Sequence, residues 1–117
     1  NTFANRANLR AISLLQVNGN YLYIGFDNPT NGAQIYRSQA GITQIDGTTA
    51  CTGGDTTANN GDGYRCFQQQ GTAGFGNSAA NQYFFSSASL RKGSQNFIYV
   101  TVGDQNLVAI KVLRQVD

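Results

Sequence analysis

The sequence predicts an all-β fold made of antiparallel meanders, and three observations indicate this class. Apolar residues alternate with polar ones or form short blocks, without the spacing of three to four residues that is typical of helices. Gly, Asn and Asp bound these blocks, as expected at tight turns. The succession of strands and turns in the first third of the chain also returns in the last third. We therefore expect residues 1–117 to form a single all-β unit.

The N-terminal third begins with a predicted hairpin. Residues 12–17 (ISLLQV) and residues 21–26 (YLYIGF) form two apolar blocks, and Asn18-Gly19-Asn20 lies between them. An Asn-Gly step between two such blocks predicts a type I′ turn, in which both central residues take a positive φ. We therefore expect two antiparallel strands that are joined by a tight loop.

Two further strands are predicted to complete the first sheet. A turn with Pro29 and Gly32 leads to residues 33–37 (AQIYR), and the alternating residues 42–45 (ITQI) follow. The four strands together constitute a first blade-like repeat, which covers about residues 9–46.

The C-terminal third repeats this plan in a second blade-like repeat over about residues 74–115. Its predicted strands are residues 84–90, 96–102 and 107–114. Within them NFIYVT, at residues 96–101, matches NYLYIG at residues 20–25. Four-stranded antiparallel sheets in series are the unit of a β-propeller, so the repeat predicts about two propeller-like blades. A β-sandwich is the alternative architecture.

The segment NGNYLYIGFDNPTNGAQIYRS, residues 18–38, resembles the blade repeat of bacterial secreted or lipoprotein β-propellers. That repeat reads approximately N-G-Y-L-Y-x-G-T-x-N-x-x-T-G-A-x-V-W-R and is followed by a G-F-G-x-x-x-N linker, to which residues 74–81 (GFGNSAAN) are similar. Tyr36 stands where the family usually has Trp. The resemblance implies closely stacked blade sheets with an aromatic residue between blades, and it implies no particular activity.

Two cysteines, Cys51 and Cys66, enclose a loop of fourteen residues that is almost entirely Gly, Thr, Asn and Asp. Such a composition buries too little apolar area to order itself. A disulfide across the loop would stabilise the fold by about 3 kcal/mol, and two free thiols are the alternative. The predicted disulfide loop, residues 51–66, favours an oxidising location, which is the cell surface, the periplasm or the extracellular space.

The composition excludes several classes of enzyme. Charged residues make up 12% of the chain, His is absent, and all six acidic residues are Asp. An imidazole base, a Ser-His-Asp triad and a His-ligated metal are therefore excluded. We predict a protein that is not an enzyme and that uses no cofactor or metal. A glycosidase acting through two Asp carboxyls is the enzyme that the composition still permits.

The balance of polar residues also limits the partners. The net charge is +2, and the basic residues are scattered, so they form no stripe for a phosphate backbone, and nucleic acid is not expected as a partner. No apolar block approaches the roughly 18 residues of a membrane span. The 13 Asn and 11 Gln residues predict a mostly neutral surface that bonds through amides. Such a surface offers little electrostatic repulsion between like chains.

The blade count predicts assembly. A propeller needs about four to eight blades, and two alone would leave apolar faces uncovered. We therefore expect a secreted or surface-exposed structural and interaction module, in which copies of the chain, other chains or a longer polypeptide supply the missing blades. The uncharged strand residues Phe97, Tyr99, Val100 and Val102 are the candidate assembly residues, and burial in an ordinary central strand is the alternative.

Carbohydrate binding is the alternative function. An aromatic face covers the apolar side of a sugar ring, while amides and carboxylates bond the hydroxyls. In the cysteine loop the candidate ligand-binding residues are Asp55, Asn60, Asp62 and Tyr64. The same oxygens also suit Ca²⁺, but their spacing departs from known calcium motifs and favours a plain turn.

Overall fold

A computed structural model describes residues 6–38, 67–107 and 110–116 of the chain. This part is mostly strand and forms one four-stranded and one three-stranded antiparallel sheet, which confirms the all-β prediction. The strands are β1 (Ile12–Asn18), β2 (Tyr21–Phe26), β3 (Gln34–Ser38), β4 (Phe67–Gln70), β5 (Tyr83–Lys92), β6 (Gln95–Gly103) and β7 (Lys111–Val116). Short 3₁₀ turns cover Arg6–Asn8 and Ala73–Gly76. Sheet A has the order β1-β2-β3-β4, and sheet B has the order β5-β6-β7.

The strand beside β3 is not the predicted one. β4 (Phe67–Gln70) pairs antiparallel with β3, from Ile35 opposite Gln70 to Ser38 opposite Phe67. The strand predicted at residues 42–45 lies outside the described residues. The sequence FQQQ gives no alternation of apolar residues, and for this reason the sequence pattern does not predict β4.

The β1–β2 and β5–β6 hairpins each have a two-residue loop with glycine at its first position. In the β1–β2 hairpin the loop is Gly19-Asn20, and of these two residues only Gly19 has a positive φ, of +59°. This is the pattern of a type II′ turn, so the type I′ prediction is wrong, and Asn18 is instead the buried last residue of β1. The β5–β6 hairpin repeats the pattern with Gly93 at φ +62°.

β7 begins later than the sequence predicts. The predicted strand starts at residue 107, but Leu107 lies in a turn with φ +59°, and its N–H donates to the Asp104 carbonyl at 3.2 Å. The strand starts at Lys111, and Ile110 just before it is exposed. The apolar block therefore covers a turn as well as a strand.

The two sheets share one register, so the sequence repeat is also a structural repeat. Phe26 of β2 and Val102 of β6 occupy equivalent positions, and each lies next to a β-bulge in the preceding strand. The bulged residues are Ser13 in β1 and Phe85 in β5.

An arginine stacks on an aromatic ring at equivalent positions of both sheets. The guanidinium carbon of Arg37 lies 4.5 Å from the centroid of the Tyr21 ring, and that of Arg114 lies 5.4 Å from the centroid of Phe97. Tyr21 and Phe97 are equivalent in the sequence repeat. Arg37 lies opposite Tyr23 and Arg114 lies opposite Tyr99, so each arginine is opposite the residue two positions after the ring on which it stacks. The repeat therefore extends to specific side-chain contacts.

The sheets pack against each other through one face of each, which we call the inner faces. The buried cluster between them contains Leu14, Tyr23, Ala33, Ile35, Phe84, Ile98, Val100 and Val102. A Cβ on Gly25 would lie 2.8 Å from Leu14 and from the Phe84 ring, so glycine permits this close approach. The opposite faces are called the outer faces below.

The connection from sheet A to sheet B is held by backbone contacts. Three successive residues from Gly74 take positive φ values of 66°, 50° and 90°. The N–H of Gly74 donates to the Ala33 carbonyl at 2.8 Å, and the Asn81 Nδ2 donates to the Gly74 carbonyl at 2.9 Å. A Cβ on Gly32 would lie 2.5 Å from the Gly74 backbone, so this crossing requires glycine.

Some amide side chains are buried, although the sequence predicts that the amides lie mainly on the surface. Asn18, Asn28, Gln34 and Asn81 are all buried. The Asn28 Nδ2 donates to Gln34 Oε1 at 3.4 Å, and Gln34 Nε2 donates to the Tyr36 hydroxyl at 3.2 Å. Part of the amide content therefore satisfies polar groups inside the fold.

Candidate interaction surfaces

The outer face of sheet B is an exposed, mostly apolar surface. Cross-strand partners project to the same side of a sheet, and this assigns the residues of the face. They are Ser86, Ala88, Leu90, Lys92, Gln95, Phe97, Tyr99, Thr101, Val112, Arg114 and Val116. Leu90 is 52% exposed, Val112 66% and Val116 44%. An apolar surface of this kind typically marks a site of interaction with another macromolecule.

The four predicted assembly residues divide between the two faces of β6. Val100 and Val102 lie on the inner face and are buried in the core. For these two residues the alternative prediction, burial in an ordinary central strand, is correct. Phe97 and Tyr99 lie on the outer face, with ring centroids 6.5 Å apart. Of these two, Tyr99 is half-buried and Phe97 is buried, with the guanidinium of Arg114 above its ring.

The outer face of sheet A is exposed along its edge strand. Ile12, Leu15 and Val17 of β1 are 59%, 67% and 62% exposed. They share this face with Ile24 and Phe26 of β2, which are buried. The three residues form a row, which we call the β1 outer row. The sequence signal for it is that Leu14 and Leu15 are adjacent in β1, so that large apolar residues lie on both faces of this strand.

Polar side chains hold the inner faces together where β1 meets β5. The Ser87 hydroxyl donates to Gln16 Oε1 at 3.1 Å, and Gln16 Nε2 donates to the Ser89 Oγ at 3.1 Å. The Ser89 hydroxyl donates to the Val17 carbonyl. β1 and β5 make the main contact between the sheets, so these bonds define how one sheet lies on the other.

A cavity of about 110 Å³ lies between the sheets. Ile35, Phe75, Ile98, Val100 and Leu113 form its apolar wall, together with polar side chains and Gly71. The polar side chains are Gln70 and Gln115, and Gln115 Nε2 donates to Gln70 Oε1 at 2.8 Å. The volume is below the roughly 300 to 1,000 Å³ of a usual ligand pocket.

The predicted residues of the cysteine loop lie outside the described ranges. They are the disulfide residues Cys51 and Cys66 and the ligand-binding candidates Asp55, Asn60, Asp62 and Tyr64. In the described ranges, no group of three or more His, Cys, Asp or Glu side chains is placed to hold a metal ion. No helix in this part of the chain is long and apolar enough to span a membrane.

No protein-family model, curated protein or solved structure matches this chain. The function is therefore inferred from the repeat and from the two outer faces.

Proposed function

We propose that this protein is a non-catalytic, secreted or surface-exposed interaction module, whose two sheets are neighbouring blades of a β-propeller that other copies or chains complete. The exposed apolar face of sheet B carries the proposal. Each Å² of apolar surface removed from water contributes about 25 cal/mol, so covering this face provides a free energy of association. The low charge of the face supports association further, since Lys92 and Arg114 are the charged residues among those assigned to it.

The strand topology supports the blade arrangement. Each sheet is a meander with its strands in chain order, and sheet A is complete before sheet B begins in the described residues. Propeller blades follow one another in this way, whereas many β-sandwiches exchange strands between their sheets through Greek-key connections. The close glycine contact between Gly32 and Gly74 also agrees with the linker that the family resemblance implies.

The native mass of the purified chain tests the assembly. We expect light scattering at micromolar concentration to give a multiple of the 12.6 kDa chain mass, because a lone chain leaves the outer face of sheet B in water. A circular dichroism spectrum checks that the sample is folded. A stable, folded monomer would contradict the proposal that copies assemble.

Carbohydrate binding is a second candidate, favoured by the cavity between the sheets. Its lining combines the aromatic Phe75 with the amides of Gln70 and Gln115, which are groups that suit a sugar. Its small volume makes it the weaker proposal. A glycan array tests it, with the Gln70→Ala variant as the control that should lose any specific signal. Absence of binding above background would count against this function.

A further inference from the structure

We infer that the outer face of sheet B is covered by the outer face of sheet A from a second copy of this chain. The contact is head-to-tail and repeats the contact that the two sheets make inside one chain. This inference rests on the proposed function, and it adds the identity of the partner and the surfaces that meet.

The inner faces of the two sheets are not equivalent in the repeat. Tyr23 of β2 lies on the inner face of sheet A, but its repeat equivalent, Tyr99, lies on the outer face of sheet B. Val100 of β6 lies on the inner face of sheet B, but its repeat equivalent, Ile24 of β2, lies on the outer face of sheet A. The internal contact is therefore heterologous, and each chain retains one unused face of each kind.

The main contact between the sheets, where β1 meets β5, indicates which residues meet in the equivalent contact between copies. Inside the chain, Gln16 of β1 bonds two serines of β5, as described above. By register, Gln16 corresponds to Ala88, and the two serines correspond to Leu15 and Val17. The equivalent contact between copies places Ala88 of one copy against Leu15 and Val17 of the next.

The β1 outer row and the outer-face residues of β5 are both exposed to solvent and both mainly apolar. Leu15 and Val17 are the most exposed residues of β1, and Ala88 and Leu90 are exposed on β5. The internal contact pairs polar with polar side chains, whereas the equivalent rows pair apolar with apolar ones. Neither the β1 outer row nor Ser86, Ala88 and Leu90 of β5 carries a charge, and Lys92 at the end of the same β5 row meets no charged residue in the β1 outer row.

Heterologous contacts close into a ring when the rotation between copies divides a full turn, and otherwise they form a filament. A propeller of about four to eight blades, at two blades per copy, requires two to four copies.

Two opposite charge substitutions test these surfaces. Leu15→Lys and Ala88→Asp each place one unpaired charge in the contact, so we expect each variant alone to dissociate, with the apparent dissociation constant rising about 30-fold or more. The double variant Leu15→Lys/Ala88→Asp should reassemble, because every head-to-tail contact then places the Lys of one copy against the Asp of the next, whatever the number of copies. Gln105→Lys, on the exposed turn before β7, is the matched control and should keep the wild-type mass.

The outcomes separate this inference from the proposed function. Loss of assembly in both single variants with recovery in the double variant supports the head-to-tail contact, whether the particle is a ring or a filament. An assembly that survives each single substitution overturns the assigned faces and leaves the interaction module intact. A wild-type chain that stays monomeric overturns assembly of copies altogether.

Discussion

Asp27 links the two sheets through one carboxylate oxygen. Its Oδ1 accepts a hydrogen bond from the Ser13 hydroxyl at 2.5 Å and another from the backbone N–H of Phe84 at 3.0 Å. One bond reaches the bulge of β1 and the other reaches β5. A single carboxylate oxygen therefore links the edge strand of sheet A to sheet B.

Replacing this carboxylate should destabilise the fold. We expect Asp27→Ala to lower the free energy of unfolding by about 2 kcal/mol, because both donors lose their acceptor. Urea denaturation measures the change. Asp27→Asn keeps an acceptor oxygen at the same place, so we expect it to lose less than half as much. Equal losses for the two variants would show that charge rather than the hydrogen bonds matters.

Burial of single residues was predictable where strand alternation is regular. Tyr23 and Tyr36 are buried, as their position in apolar strands indicates. The burial of Asn28 and Gln34 was not predictable, because an amide becomes buried only when folding brings a hydrogen-bond partner from another segment. Composition alone places such residues on the surface.

At the scale of elements, the β1–β2 turn shows how one residue changes a hairpin. Gly19 has φ +59°, and a Cβ there would lie 2.6 Å from the Asn96 side chain, whereas Asn20 lies outside the left-handed region. The backbone conformation therefore favours glycine, and a Cβ at this position would also require the Asn96 side chain of β6 to move.

The two positions of this turn should respond differently to alanine. We expect Gly19→Ala to lower the free energy of unfolding by about 1 to 2 kcal/mol, the usual cost of the left-handed conformation for a residue with a Cβ. Asn20→Ala is the matched control and should change the stability by less than about 0.5 kcal/mol. Thermal or urea unfolding measures both. Comparable losses at the two positions would indicate a type I′ turn instead.

Strand existence was predictable from local pattern, and strand boundaries and partners were not. β2 and β6 are apolar blocks between turn residues, so their positions follow from sequence. β4 has no such pattern and exists because β3 offers it an edge to pair with. The bulges at Ser13 and Phe85 are equally non-local, since they depend on the register between two strands.

At the scale of the whole molecule, the repeat in the sequence becomes meaningful only once the faces are known. The alignment of residues 20–25 with 96–101 shows that two sheets are alike, but it does not say which side of each is covered. The structure supplies that distinction, because equivalent residues such as Tyr23 and Tyr99 lie on opposite sides of the contact. The candidate surfaces can therefore be identified only from the sequence repeat and the assignment of the faces together.

The measurement that tests the central claim most directly is a crystal or electron cryomicroscopy structure of the native particle. We predict two to four copies in which Ala88 of one copy packs against Leu15 and Val17 of the next, so that the outer face of sheet B is covered. A particle in which this face is open to solvent, or in which two identical faces pack symmetrically, would contradict the account.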